Sequence, residues 1–541
     1  MEKVMREMDT TPSREKQSIK GMLKVFLLPL TMALSCLYGA PKKNVLFIAV
    51  DDLKPLLNCY GYDHVISPHI DALAKNGMVF SNAHCQQAVC GPSRVSLLTG
   101  KFPDSLGIYG MGGGRYKMRE MHPDILTLPL HFKNNGYETI GMGKIFDPRN
   151  VEDDWHGPQD KVSWTKFYGK NPYNKNTGAP KIDGHYHDPA LEKLGLELKK
   201  KGKAKGLKGK PLREFLRQHG GGPAVECYDV PDDAYSDGAI ANRALEQIDA
   251  LSKKKSPFFL AVGFKKPHLP FVAPKKYWDM YDRSRLSLAP FQHYPKGSPK
   301  VAQTDYIEAR TYGLVPNEGA ISEAIQRELI HGYLACVSYV DAQIGKIVAS
   351  LKSKGLYENT VIVLWGDHGF HLGDKEIWGK HTNYEESTRS PLIVSNHGGP
   401  YGGSSAEPVN LIDIFPTLND LCSLPQPQHL DGKSLMPLLK EPDSDFQSYA
   451  ASLYPHSGYM GIAIRSDRYR YVAWYKGNKT KKYVGQRFPR KAEFTELYDY
   501  QNDPHERENL AGKLELKEVE ERMATWSREH IEFTQARQKE F

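Results

Sequence analysis

Asn44-Val45-Leu46-Phe47-Ile48-Ala49-Val50 runs apolar without a break and stops abruptly at Asp51-Asp52. Alternation would mark a strand with one wet face. A continuous apolar run of this length reads instead as a strand buried on both faces of a parallel sheet. Similar short runs recur at Glu138 to Met142, Pro257 to Val262, Thr360 to Trp365 and Pro391 to Val394. Helical patterns lie between them. Leu329, Tyr333, Val337, Val340, Ile344, Ile347 and Leu351 recur at steps of three and four, as do Ile240, Ala244, Ile248 and Leu251. Strands alternating with helices predict a doubly wound α/β domain over residues 42–435.

Past that point the texture changes. Gly461 to Ile464 and Tyr469 to Trp474 read as strands, and Leu497-Tyr498-Asp499 leads into an Asn502-Asp503-Pro504 turn. Val519, Met523 and Trp526 mark one face of a closing helix, so residues 436–541 read as a smaller α+β C-terminal domain. Residues 193–210 hold eight lysines with several glycines, which reads as a mobile surface insertion or a polyanion-binding loop.

Residues 1–40 read as a signal region. Met22-Leu23-Lys24 leads into the apolar run Val25 to Leu34, and small residues follow to Gly39-Ala40. This makes Met22 the expected start and predicts a secreted or periplasmic protein. Ala33-Leu34-Ser35-Cys36 is similar to a lipoprotein box, with a lipid anchor at Cys36 as the alternative fate. No other stretch reads as long and apolar enough to span a bilayer. The composition is globular, at 40% hydrophobic and 25% charged, and +8 over 541 residues is a modest excess that points to no nucleic-acid partner. The seven cysteines (36, 59, 85, 90, 227, 336 and 422) form neither a disulfide framework nor a zinc spacing.

Chemistry-bearing residues fall where apolar runs stop. Asp51-Asp52 follow the first strand, Lys144 the second, Lys266-Pro267-His268 the third and Asp367-His368 the fourth. Ligands of an open α/β sheet bind beyond the carboxyl ends of its strands, so these groups can converge. Three aspartates suit Ca²⁺, or less well Mg²⁺, better than zinc. Each also has a plain reading as a turn residue or a solvated side chain. Cys90-Gly91-Pro92-Ser93-Arg94 predicts a helix beginning just after Cys90, with Pro92 first and Gly100 as its stop. That leaves Cys90 either a buried structural thiol or a group held at a positive helix end.

Cys90-Gly91-Pro92-Ser93-Arg94 resembles the C-x-P-S-R signature of type I sulfatases, whose cysteine is converted to formylglycine. Asn44 to Asp52 resembles that family's opening strand and aspartate pair, and Gly366-Asp367-His368-Gly369 its second metal motif. Gly141-Met142-Gly143-Lys144 and Lys266-Pro267-His268 resemble its sulfate-binding segments. Within the family, Gln86 to Cys90, Pro257 to Gly263, Lys266 to Phe271, Trp378-Gly379-Lys380 and Tyr469-Arg470-Tyr471 are similar to the iduronate 2-sulfatase branch.

The resemblance implies an alkaline-phosphatase-like mixed sheet. It also implies Ca²⁺ held by Asp51, Asp52, Asp367, His368 and formylglycine at position 90. Arg94 would hold the formylglycine hydrate, Lys144 and Lys380 would bind sulfate oxygens, and His268 would be the general acid. The iduronate-type pattern has a histidine where this chain has Asp147, which becomes a candidate for that substrate-side role. The implied activity is hydrolysis of sulfate esters on a sulfated carbohydrate, after maturation by a formylglycine-generating enzyme. Arg465, Arg470 and His456 are candidates to reach a uronate carboxylate, and Phe370-His371 to line the pocket. The alternatives are a phosphate or phosphonate ester hydrolase of the same fold, and a polysaccharide-binding protein with unconverted Cys90.

Overall fold

The structure is a computed structural model that describes residues 42–111, 116–152, 157–169, 186–304, 306–397, 402–477 and 491–538. The segment read as a signal, 1–40, lies outside the described residues. Asn44–Val50 is the fifth strand of an eight-stranded mixed sheet. The sheet order is Gly403–Ser405, Met78–Phe80, Leu392–Asn396, Thr360–Gly366, Asn44–Val50, Phe258–Phe264, Glu138–Gly143 and Lys166–Tyr168. The central strand pairs in parallel with Phe258–Phe264 and Thr360–Gly366, whereas Leu392–Asn396 runs antiparallel.

Its apolar run is unbroken because alternate side chains serve two cores. Leu46, Ile48 and Val50 join the face covered by Ser236–Leu251 and Glu323–Ser353. Val45, Phe47 and Ala49 join the face covered by Cys90–Thr99, Leu128–Asn134 and Ile414–Leu421. All six are fully buried, each contributing up to about 1.5–3 kcal/mol for the larger side chains. Glu323–Ser353 is long and apolar enough by composition to cross a membrane, contrary to the expectation that no later stretch would be. With 72% of its apolar window buried against the sheet, it acts as a core helix.

Two local expectations are corrected. Cys90–Thr99 begins at Cys90 itself, with Val89 at the cap and Pro92 third. Gly100 does stop the helix, at φ 66°. Residues 193–210 are not an irregular insertion: Pro189–Ala204 and Gly209–Gln218 form a helix pair. The helices approach closely at Gly202, where a Cβ would sit 2.4 Å from Leu212.

The C-terminal sheet is antiparallel, in the order Ala450–His456, Tyr459–Arg465, Tyr469–Lys476 and Phe494–Asp499. Lys517–Gln538 covers it, burying Met523 and Ile531 against Ile462, Ile464, Tyr471 and Ala473. Phe102 and Tyr109 from the main body complete that core.

Candidate active site

Two parallel strands end side by side, with Val50 opposite Gly366, so Asp51-Asp52 and Asp367-His368 leave the sheet as neighbours. The turn is tightened at Asp52, whose φ is 61°. Such a conformation is costly for a residue with a Cβ and persists only where surroundings over-determine it. Here the Asp52 amide donates to Asp367 Oδ1 at 3.0 Å, and Tyr333 Oη donates to the Asp52 carbonyl at 2.8 Å.

The helix from Cys90 delivers three groups to this point. Cys90, Ser93 and Arg94 share one face through i, i+3 and i+4 spacing. Cys90 Sγ lies 3.3 Å from His368 Nε2 and 3.9 Å from Asp52 Oδ1. Ser93 Oγ donates to the Asp367 carbonyl. Arg94 is fully buried and clamps both aspartates, Nη2 to Asp51 at 3.0 Å and Nε to Asp367 at 2.9 Å. Its Nη1 donates to the Lys144 and Ile145 carbonyls. Arg94 thus fixes the floor of the site. The close fit of this helix start explains Gly91, where a Cβ would meet Asn150 Oδ1 at 2.0 Å.

The remaining cations stand around the aspartates. Lys144 Nζ is 2.7 Å from Asp51 Oδ2, and Lys380 Nζ is 2.7 Å from Asp52 Oδ2. His268 Nδ1 donates to the Leu269 carbonyl at 2.6 Å, leaving Nε2 directed at Glu308 Oε1, 3.5 Å away. Glu308 Oε2 is in turn 2.9 Å from Lys380 Nζ. Glu308 was not found by sequence reading, because it sits in a short 3-10 turn with no strand end or motif to mark it. Lys266, from the same segment as His268, turns away and donates to the His268 and Pro270 carbonyls.

Asp147 lies 3.6 Å from Lys144, but its carboxylate is engaged by Arg149, Nε to Oδ1 at 2.8 Å and Nη2 to Oδ2 at 2.7 Å. Arg149 was also missed, although Asp147-Pro148 carries the mark of a capped turn. Of five other candidates, Phe370 lies beneath Lys380 Nζ at 5.9 Å and the remaining four fall elsewhere. Phe370 is buried and stacks on Tyr333, and His371 bonds Thr382. Arg465 and Arg470 are buried on Glu385 and Glu506. His456 Nδ1 donates to the Val301 carbonyl.

The electrostatics are unequal across the aspartates. Burial opposes ionisation of Asp51, but Lys144 and Arg94 overcome it and hold its carboxyl well below the usual range. For Asp52, burial together with Asp51, Glu308 and Asp367 outweighs Lys380 and pushes it well above that range. Burial, with Asp51 beside it, also pushes the Cys90 thiol up. With Glu308 counted beside Lys380, four carboxylates here meet three cations, Arg94, Lys144 and Lys380. Ligand atoms of Asp52, Cys90, Asp367 and His368 lie within 4.8 Å of one another, as do those of Asp51, Asp52, Cys90 and His268. His368 Nδ1 donates to the Gly369 carbonyl, so Nε2 presents a lone pair. A hard, oxygen-rich set short of positive charge fits a divalent cation.

A mixed sheet of alkaline-phosphatase-like type, carrying this cluster beyond its strand ends, defines a sulfuric ester hydrolase. The chain belongs to the sulfatase family, whose profile, described as Sulfatase, matches residues 43–424. A second profile, N-sulphoglucosamine sulphohydrolase, C-terminal, matches residues 373–532. The chain is 32% identical over 501 residues to an iduronate 2-sulfatase of Mus musculus, covering 80% of this chain and 84% of the relative. It is 31% identical over 502 residues to a sulfatase of Formosa agariphila, covering 90% and 88%. In fold it is similar to a protein solved in complex with its substrate D-glucosamine-2-N,6-O-disulfate. That likeness has a TM-score of 0.65 at 21% identity and covers 92% of this chain and 98% of the other.

Proposed function

We propose that the protein is an exported sulfatase that removes sulfate from a sulfated carbohydrate, with formylglycine made from Cys90 as its nucleophile. The observation that carries the reading is the position of Cys90 Sγ, 3.3 Å from His368 Nε2 and ringed by Asp52, Lys144, Lys380 and His268. The relatives named iduronate 2-sulfatase support a sugar sulfate as substrate. The apolar segment after Met22 supports export.

Each side chain has a part. Lys144 and Lys380 bind the non-bridging sulfate oxygens and lower the cost of charge developing there. Arg94 acts through Asp51 and Asp367, keeping both carboxylates in place. His268 holds a proton at Nε2 for the departing alcohol, since a sugar alkoxide is a poor leaving group. Burial lowers its basicity, Lys380 lowers it further, and Glu308 and Asp51 raise it again. A hydrated aldehyde at position 90 supplies a hydroxyl nucleophile, and its second hydroxyl allows sulfate to leave without water attacking sulfur. Ca²⁺, held by Asp51, Asp52, Asp367 and His368 beside residue 90, would supply positive charge that favours the ionised nucleophile.

The test is sulfate release from sulfated sugars by protein co-expressed with a formylglycine-generating enzyme, alongside mass spectrometry of the peptide containing Cys90. The expected result is turnover together with an aldehyde mass at residue 90. Turnover retained in Cys90→Ala would overturn the reading.

A further inference from the structure

The segment after Lys144 is where this chain departs from the iduronate-type pattern, and its structure says what the departure does. Asp147 is fully buried, caps the turn Pro148–Asn150 by accepting from the Arg149 amide, and binds the Arg149 guanidinium through two parallel bonds. Burial opposes its ionisation, but the bonds from Arg149 and the charge of Lys144 bring it down to about 2. A carboxylate in that state is a poor proton acceptor. It is also a negative charge 3.6 Å from Lys144, which weakens that lysine's hold on an anion unless a cation answers it. Arg149 is that cation.

Arg149 is also placed to do more than cancel a charge. Its turn packs against the start of the Cys90 helix, with Asn150 filling the space that Gly91 leaves open. Its charge is felt at Cys90 and Asp51 on one side and at Tyr306 and His381 on the other. Side-chain exposure is 38% for Arg149, against 9% for Lys144 and 2% for Lys380, so it stands outside the two sulfate lysines. Tyr306, 47% exposed, is within reach of that charge and sets its ring edge-on to His381 at 5.0 Å. A guanidinium held rigid along one edge loses little freedom on binding an anion, and an exposed aromatic ring within reach of its charge suits a sugar face.

We infer that Arg149, clamped by Asp147, is a specificity subsite for a second anionic group, a carboxylate or a further sulfate, on the sugar whose sulfate is cut. This rests on the sulfated-sugar reading above. The nearness of Arg149 to residue 90 places the second group on the same ring as the scissile ester or on the ring next to it. Singly charged sulfates are then accepted less well, because the subsite gains nothing from them.

The experiment compares wild type, Arg149→Gln, Arg149→Lys and Asp147→Asn, each matured with the formylglycine-generating enzyme. Four sulfate esters serve as probes: 4-nitrophenyl sulfate, a mono-O-sulfated neutral hexose, an O-sulfated hexuronic acid and a di-O-sulfated hexose. Arg149→Gln should lower kcat/KM for the doubly charged sugars at least tenfold more than for 4-nitrophenyl sulfate, mostly through KM. Arg149→Lys should recover part of the loss, and Asp147→Asn should follow Arg149→Gln in direction. Whichever of the two doubly charged sugars loses more identifies the group bound. Equal losses on all probes, or none on the doubly charged sugars, would overturn the subsite. Hydrolysis of the aryl ester but of no sugar by wild type would instead overturn the sulfated-sugar reading, and the subsite with it.

Discussion

Two of the buried clusters that mix opposite charges behave differently. One is the site, where Asp51, Asp52, Asp367 and Glu308 meet Arg94, Lys144 and Lys380. The other joins the C-terminal sheet to the main body. There Arg465 pairs with Glu385 at 3.1 Å, and Arg470 and Lys375 share Glu506. In the second cluster every cation named faces a carboxylate, and Arg470 also donates to the Asn383 carbonyl and lies near the rings of Tyr384, Tyr498 and Tyr500. Glu385 responds as a satisfied group does: burial opposes its charge, yet Arg465 and its neighbours hold it far below the usual range. In the first cluster Asp52 moves the other way, because burial raises it and most of its charged neighbours are carboxylates. Burial of charge is common to both. What marks the site is that converging carboxylates outnumber the cations that meet them, whereas in the second cluster they do not.

That contrast is open to attack by mutation. The largest effect expected is Cys90→Ala, which should cut sulfate release by about 10⁴-fold or more while the unfolding midpoint in denaturant moves little. Arg470→Met should do the reverse. Leaving Glu506 buried with Lys375 as its remaining cation should cost about 3–5 kcal/mol of folding stability, read by denaturant titration, with kcat of the folded fraction retained. Lys144→Ala should lower kcat/KM by about 10²–10³, as loss of a positioned cation at a reacting oxyanion does. If Cys90→Ala and Arg470→Met lost stability and activity in the same proportion, the distinction between the clusters would not stand.

How far the sequence could be read follows the same division. The central strand was legible because both faces of Asn44–Val50 are buried alike, which removes alternation and leaves a plain apolar run. The residues at strand ends were legible because the sheet places them together whatever the loops do. The edge strand Ala450–His456 was missed: it carries Pro455 and a mixed pattern, tolerable only where one side of the strand is unpaired. The lysine-rich stretch was misread since lysine disfavours burial but not helix, and Leu212 and Phe215 pack close to Gly202. Arg465 and Arg470 were read as candidates for a uronate carboxylate because charged side chains are seldom fully buried unless paired, and Glu385, the partner of Arg465, lies far away in sequence. Glu308 escaped for the same reason. Its partners His268 and Lys380 come from other segments, and only the fold brings them within reach.

Glu308 supplies the smallest and most discriminating test, because it belongs to the site yet touches neither Cys90 nor the aspartates in the bonds described. It faces His268 Nε2 and Lys380 Nζ, so its charge supports the protonated imidazole that a general acid requires. Burial and Lys380 hold His268 well below its ordinary value, and in the role proposed for it the acid form is the active one. Activity limited by His268 is therefore full at low pH and lost as pH rises through that lowered pKa, giving an acidic optimum. Glu308→Gln removes a contribution that raises His268, so the alkaline limb of kcat/KM against pH should move further down, and a tenfold loss near neutrality corresponds to about 1.4 kcal/mol. An aryl sulfate with a good leaving group needs little protonation and should show a smaller shift than a sugar sulfate. A variant that lost activity equally at every pH, on both esters, would place Glu308 with the structural cluster instead of the site.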